Sequence, residues 1–441
     1  MEKQENNLME TIISLCKRRG FIYPGSEVYG GLAGTYDYGP LGVALKNNIK
    51  NLWWKKFVDS REDMYGVDAA ILMNSAVWKA SGHVNTFADP LVECTKCKKR
   101  FREDTLKGKG VCGDCGGKTG EARQFNMMFS TRIGAMEDSS ATIYLRPETA
   151  QGIFVNFKNI VDSFHPKLPF GIAQIGKAFR NEITPRDFIF RIREFEQMEI
   201  EYFIKSENWE KYFEYWKNEM LAWIEMIGIN MNKIHELEVK GMNLAHYSKQ
   251  TIDFEFDFPF GRNELYGLAY RTDFDLKNHN LFYQDEETNS KIVPHVIEPS
   301  LGVDRTVLAL LLSSYKEDPE GKSTSDGAST SENRVYLKFK PEVAPVICAV
   351  SPLLKNKPEL RDYAHIIYRN LKDEFGRVMW DDNGNIGKRY RRQDEIGTPW
   401  CIVIDFDTLT DNSVTIRDRD TGLQERIKKE DIVKYIKDKM N

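Results

Sequence analysis

Apolar and polar residues alternate along Gly171–Glu182 and again along Phe190–Phe203, the pattern of two half-buried strands. Gln250–Phe258 and Glu264–Asp275 repeat it downstream. A longer period runs through Leu41–Val58, just after the turn-forming Tyr38-Gly39-Pro40, and predicts a helix. Glu207–Ile227 predicts another, where Trp209, Tyr212, Phe213, Trp216, Met220 and Trp223 recur every three or four residues. That aromatic stripe reads as core packing. Lys316–Asn333 then breaks all periodicity with Ser, Thr, Gly and acidic residues, as a flexible linker would. Beyond Val335, apolar runs at Ala344–Val350 and Trp400–Phe406 bracket a helical pattern at Leu360–Phe375, which predicts a small α/β unit.

Composition narrows the class. The chain has 441 residues, 41% of them hydrophobic and 12% aromatic, enough for several buried cores and too much for a disordered protein. Its 62 Lys and Arg face 66 Asp and Glu, a net charge of −4, so bulk positive charge cannot hold a polyanion. Local patches remain available, notably Lys388, Arg389, Arg391 and Arg392. No apolar run approaches the roughly 20 residues needed to cross a bilayer. The stretch Met1–Asn7 has no basic-then-apolar export pattern, and seven cysteines do not make a disulfide framework. The expectation is a cytoplasmic, multidomain protein with no membrane partner.

Four of those cysteines are clustered. Cys94-x2-Cys97 and Cys112-x2-Cys115 form two knuckles able to place four thiolates around a tetrahedral Zn²⁺, with Gly113, Gly116 and Gly117 easing the turns. Four protein ligands leave no open position, so such a zinc would be structural. Cys16, Cys348 and Cys401 stand alone and read as small packed hydrophobes.

Charge is concentrated in Phe179-Arg180-Asn181-Glu182 and in Phe190-Arg191-Ile192-Arg193-Glu194-Phe195-Glu196-Gln197-Met198-Glu199. A seven-residue loop, Ile183–Ile189, separates them, so an antiparallel hairpin is expected. Strand alternation would put Arg180 and Glu182 on one face, and Arg191, Phe195 and Glu199 on one face of the second strand. Guanidiniums grip phosphate and carboxylate oxygens, an aromatic ring stacks on a base, and a carboxylate receives an ammonium. Taken alone, the same residues also fit a solvated strand laced with ion pairs. Leu145–Gly152 places Glu148 after Pro147 at a helix start, where a carboxylate is also favoured by the helix dipole. Ile297–Arg305 puts Glu298 and Ser300 on one strand face and Arg305 at the start of an apolar helix, a setting suited to an anion.

Together these segments resemble the class II aminoacyl-tRNA synthetases. Leu41–Val58 looks like motif 1, Phe179–Glu199 with its Arg191, Phe195 and Glu199 tail like motif 2, and Glu298–Arg305 like motif 3. Glu27–Gly30, Trp78–His83, Leu145–Asn156, Phe195–Glu199, Glu298–Gly302 and Lys388–Cys401 are similar to the glycine-specific, homodimeric branch. The resemblance implies an α+β class II catalytic core, an antiparallel sheet flanked by helices, over residues 1–335. Motif 1 would lie near 38–75, motif 2 near 171–203 and motif 3 near 296–313. A zinc-binding insertion at 90–120, a helical insertion at 205–250, a linker at 316–333 and an α/β anticodon-binding domain at 336–441 would complete it.

The implied activity is ATP-dependent activation of glycine, with Mg²⁺, followed by transfer to tRNA(Gly) by a homodimer. Arg180, Arg271 and Arg305 would be catalytic. ATP would meet Arg180, Asn181, Glu182, Phe190, Arg191, Ile192, Arg193, Glu194, Phe195, Glu264, Leu265, Gly302 and Arg305. Adenine would lie between Phe195 and Arg305, and Glu264 would also contact Mg²⁺. Glycine would meet Arg102, Glu148, Phe195, Glu199, Glu298, Ser300 and Gly302. The alternatives are a non-catalytic accessory subunit on the same scaffold, a different ATP-using ligase, and a zinc-dependent nucleic-acid module.

Overall fold

The computed structural model describes residues 2–440 apart from 104–105, 107–109, 135–141, 242–243, 246, 287 and 319–332. At its centre is a seven-stranded sheet. Its strands are β1 (Met64–Gly66), β2 (Phe170–Phe179), β3 (Glu194–Ile204), β4 (Ile234–Val239), β5 (Gln250–Phe258), β6 (Gly261–Thr272) and β7 (His295–Gly302). They lie in the order β4-β5-β6-β7-β3-β2-β1, antiparallel except for the short parallel pairing of β1 with β2.

Helices α1 (Glu2–Arg19), α2 (Pro40–Trp54), α3 (Ala150–Phe164), α4 (Trp209–Ile227), α5 (Phe274–Asn278) and α6 (Val303–Ser314) flank the sheet. Pro40 opens α2 at a position where its missing N–H costs nothing. The helix runs so close to the backbone just after α1 that a Cβ on Gly42 would sit 1.9 Å from the Phe21 carbonyl oxygen. The aromatic stripe of α4 is core, with Phe213, Trp216, Met220 and Trp223 all buried and Phe57 packed against Trp216 and Trp223.

Three expectations change. The insertion expected to be helical over 205–250 is helical only in its first part, since its second part contains β4, the edge strand that pairs with β5. The hairpin loop is fourteen residues, Arg180–Arg193, because β2 stops at Phe179 and β3 starts at Glu194. Of the linker expected at 316–333, residues 319–332 lie outside the described residues. The flanks are strands, β8 (Tyr315–Asp318) and β9 (Arg334–Leu337), paired antiparallel with Asp318 opposite Arg334.

The C-terminal unit has the mixed sheet β11-β10-β12-β13-β14, made of β10 (Cys348–Pro352), β11 (Val378–Trp380), β12 (Trp400–Ile404), β13 (Ser413–Asp418) and β14 (Gln424–Lys428). Helices α7 (Pro358–Phe375), α8 (Ile386–Ile396) and α9 (Ile432–Met440) accompany it. Asn48 of α2 donates to the carbonyls of Val343 and Ala344, and Arg19 of α1 pairs with Glu395 of α8, so the two halves touch. The basic run on α8 is less available than its sequence suggests. Arg389 is buried and donates to the carbonyls of Pro352 and Gly384, while Arg392 is spent on Asp381. Cys16, Cys348 and Cys401 are buried, as expected. Among the described residues no helix is long and apolar enough to cross a membrane.

Candidate active site

Period-two alternation sets Phe195, Gln197 and Glu199 on one face of β3, and Glu298, Ser300 and Gly302 on one face of β7. The register places Glu199 opposite Ser300 and Gln197 opposite Gly302, so the two sets form one floor. Two adjoining cavities rise from it. The first, about 140 Å³, is lined by motif 2 and motif 3 residues including Glu182, Phe190, Arg191, Ile192, Phe195, Leu265, Gly302 and Arg305. The second, about 270 Å³, is lined by Glu148, Glu199 and Glu298 together with Tyr247 and Asp253. Arg180, Gln197, Glu264 and Ser300 border both.

In the first cavity, cations and rings face one another. The Arg180 guanidinium lies 5.2 Å from the Phe195 ring centre and its Nε donates to the Pro147 carbonyl. Arg305 lies 4.4 Å from the Phe190 ring centre and donates through Nη1 to both the backbone oxygen and the carboxylate of Glu264. Arg305 therefore stands over Phe190, and it lines the same cavity as Phe195. Glu182 is buried, one of its oxygens has no hydrogen-bond partner among the described residues, and burial outweighs Arg191 to raise its carboxyl above the usual range.

Several expected contacts fall elsewhere. Asn181, Arg193 and Glu194 line a separate apolar depression with Leu32, Phe129, Leu145 and Phe179. Arg193 staples backbone there, donating to the carbonyls of Ala33 and Glu182, and Glu194 pairs with Lys177. Arg102 lines neither cavity and pairs with Asp89. Arg271, expected to act on substrate, is buried at 1% exposure. Its guanidinium is forked onto Asp275, donates to Glu298 at 2.8 Å and lies 3.9 Å from the Tyr247 ring centre. Arg191 lies outside β3, so it reaches the first cavity from the loop and not from the strand face shared by Phe195 and Glu199.

The second cavity is an acidic niche. Glu199 accepts hydrogen bonds from Thr149, from Ser300 at 2.8 Å and from Gln197 at 3.3 Å. Burial and the neighbouring Glu148 nonetheless raise its carboxyl above the usual range. Burial also works against ionisation of Glu148, and His83, Arg271 and Gln151 overcome it, holding Glu148 well below the usual range. Burial raises Glu298 to about 8 in spite of Arg271. An entering ammonium thus meets three carboxyls of unequal proton affinity.

Gln197, Tyr247 and Asp253 were missed in the sequence. Gln197 was findable, since it alternates with Phe195 and Glu199. Tyr247 arrives on the segment between β4 and β5, and no local pattern marks it.

The cysteine knuckles sit beside a three-stranded sheet formed by Ala88–Glu93, Arg100–Arg102 and Arg123–Asn126. Cys94 Sγ lies 3.5 Å from Cys115 Sγ, and Cys97 Sγ lies 3.7 Å from Cys112 Sγ. A tetrahedron with Zn–S bonds of about 2.3 Å has edges of roughly 3.8 Å, so the four sulfurs already fit that ion. A Cβ on Gly117 would come within 3.2 Å of Cys94 Sγ and 3.3 Å of Cys115 Sγ, which explains a glycine there.

Comparison with known proteins bears on the whole chain. Residues 131–315 match the family model described as tRNA synthetase class II core domain (G, H, P, S and T), and residues 347–439 match the anticodon binding domain. A glycine–tRNA ligase of Clostridium acetobutylicum is 48% identical over 99% of this chain and 100% of its own length. One from Acetivibrio thermocellus is 49% identical over 98% of each chain, and one from Thermobifida fusca 47% over 99% of each.

Proposed function

The chain belongs to the glycine–tRNA ligases of the class II aminoacyl-tRNA synthetases, and from that premise we propose how its two joined cavities divide the work. The reaction of the family has two steps. A carboxylate oxygen of glycine attacks the α-phosphorus of ATP and pyrophosphate leaves. The terminal 3′-hydroxyl of tRNA(Gly) then attacks the carbonyl carbon of the adenylate and AMP leaves.

In this reading ATP occupies the first cavity and glycine the second. The observation that carries it is the shared border of Arg180, Gln197, Glu264 and Ser300, where the bond between the two substrates must form. Arg180 supplies fixed positive charge to the α-phosphate as it becomes five-coordinate, the kind of preorganised stabilisation that dominates such transfers. Glu182 takes the exocyclic amine of adenine, and Phe195 offers a face to the ring. Arg191 and Arg305 draw in the terminal phosphate. The half-exposed Glu264 carboxylate supplies the single hard oxygen that suits a Mg²⁺ carried mainly by substrate phosphates, an ion that would neutralise the leaving pyrophosphate. Glu148, Glu199 and Glu298 receive the ammonium, and Ser300 fixes Glu199. None of these roles needs a covalent nucleophile.

Side chains larger than hydrogen would meet the Glu148, Glu199 and Glu298 carboxyls that line the niche. Glycine has no smaller amino-acid competitor, so the weak discrimination available against a missing methylene, about 1–3 kcal/mol, never has to be used. The arginines and carboxylates of both cavities are those of a working enzyme, and nothing favours a non-catalytic accessory role.

We further assign residues 1–335 to adenylation and 336–441 to anticodon recognition, in the cytoplasm. Zinc held by the four-cysteine knuckle would be structural, and purified protein free of zinc by elemental analysis would remove that assignment. A homodimer is supported by Val28 and Tyr29, both 92% exposed, and by Leu32, which continues into the apolar depression beside Phe129, Leu145 and Phe179. The decisive assay is amino-acid-dependent exchange of pyrophosphate into ATP. Glycine alone should support it; equal exchange with alanine or serine, or none with glycine, overturns the reading.

A further inference from the structure

Two residues beyond Glu199, on the same face of β3, lies Glu201. It is fully buried, and neither of its carboxyl oxygens has a hydrogen-bond partner among the described residues. It lines neither cavity, yet the three carboxyl groups of Glu199, Glu201 and Glu298 can each offer an oxygen within 4.8 Å of the others. Glu201 therefore stands beside two carboxyls that do line the niche, outside its lining.

An ionised carboxylate in that position would be buried without a donor, the costliest state such a group can take. A bound cation could relieve it, but hard cations gather six or more oxygens, several of them from water. Three carboxyl oxygens in a dry layer, with the Arg271 guanidinium already on Glu298, do not make that shell. A proton does what the cation cannot, because it turns one carboxyl into a donor for a neighbouring one.

We infer that Glu201 is a positioning residue of the glycine niche, a neutral carboxylic acid whose O–H is offered to the neighbouring Glu298–Glu199 pair from further along the same strand face and steadies that pair toward the substrate ammonium. The inference rests on the assignment of that niche to glycine.

The surrounding charges agree. Glu199 lies on the same strand, Glu298 comes from β7, Arg271 from β6 and Asp275 from α5, while the β2 residues beside it, Ile172 and Gln174, are neutral. Glu148 faces Glu298 from the turn before α3. Burial first, then the charge of Glu298, holds Glu201 well above the carboxylate range, with Arg271 opposing. Two carboxyls this close do not both ionise at neutral pH. Glu298, raised to about 8, keeps a proton in the empty niche below that pH, and an arriving ammonium displaces it. The sign follows: glycine binding tightens as pH rises from 6 toward 8, because less proton has to leave, and levels off above.

The test measures KM for glycine and for ATP by pyrophosphate exchange from pH 6 to 9, using the full-length enzyme with Glu201→Gln and Glu201→Leu. The amide of Gln keeps a neutral donor, so its glycine KM should stay within about twofold of the parent with an unchanged pH profile. Leu fills the space without a donor and should raise glycine KM about tenfold or more while ATP KM stays put. A Gln variant whose profile moves toward acid by a pH unit means that Glu201 is ionised in the parent, and overturns the inference. So does a Leu variant with parental glycine KM. Should the Leu variant fail to fold, the Gln variant decides alone, since a tenfold loss of glycine affinity there is equally fatal. Glu199→Gln serves as control: if it too leaves glycine KM unchanged, the assignment of the niche fails; if it alone is impaired, only the role of Glu201 does.

Discussion

In the niche proposed for glycine, Glu199 is the residue at which specificity can be tested. Three donors converge on its two oxygens, from Thr149, Ser300 and Gln197, so its carboxylate is pinned before any substrate arrives. Replacing it by Gln keeps the shape but removes the charge and turns one end into a donor facing donors. Glycine KM should then rise by about tenfold to a hundredfold, while ATP KM stays within about twofold, because the loss falls on the ammonium alone. Equal changes in both constants would contradict the division of the two cavities. Arg271 teaches the complementary lesson. Its place in an Arg-Thr-Asp-Phe-Asp run looked like that of a substrate ligand, but residue type could not reveal that Asp275, across the junction from β6 into α5, would take its Nε and Nη2.

Elements carry what single residues cannot. Alternation located β2, β3, β5 and β6 to within a few residues, because one face of each is buried and the period is strict. It failed at Phe190–Arg193, which alternates as well as any strand. There the backbone turns through left-handed conformations at Asp187 and Phe188, and the Arg193 N–H bonds to the Gly34 carbonyl oxygen, so the chain pairs with a distant loop that no local pattern announces. A second invisible feature joins three elements under the first cavity. Lys46 and Lys50 of α2 hold Glu196 of β3, Lys46 also approaches Asp304 of α6, and Asp304 accepts from the Tyr38 hydroxyl and the Glu196 backbone N–H. Since Glu196 and Asp304 border the first cavity, Lys46→Met should have two effects. Stranding those carboxylates costs about 3 kcal/mol, which lowers the melting temperature by roughly 5 °C or more. ATP KM should rise and glycine KM hold. An unchanged ATP KM in a destabilised variant would reduce the cluster to scaffolding.

At the scale of the whole molecule, the least legible matter in the sequence is how chains meet, because exposed apolar residues such as Val28, Tyr29 and Leu32 look locally like any others. Leu32→Asp should shift the mass measured by light scattering from dimer toward monomer; a parental mass would place the subunit contact elsewhere. The division into an adenylating half and an anticodon half was easier to read, since the change from long antiparallel strands to an α/β alternation is a change of period. What joins the halves involves a strand pair that no local pattern announces. Because β8 and β9 lie side by side, the chain leaves the body at Asp318 and returns beside it at Arg334. The two ends of the Ser- and Gly-rich stretch are therefore adjacent, and the paired strands themselves carry the connection between the halves. Shortening that stretch to a tight turn, or splicing a foreign peptide into it, would leave the distance from anticodon to acceptor end as it is.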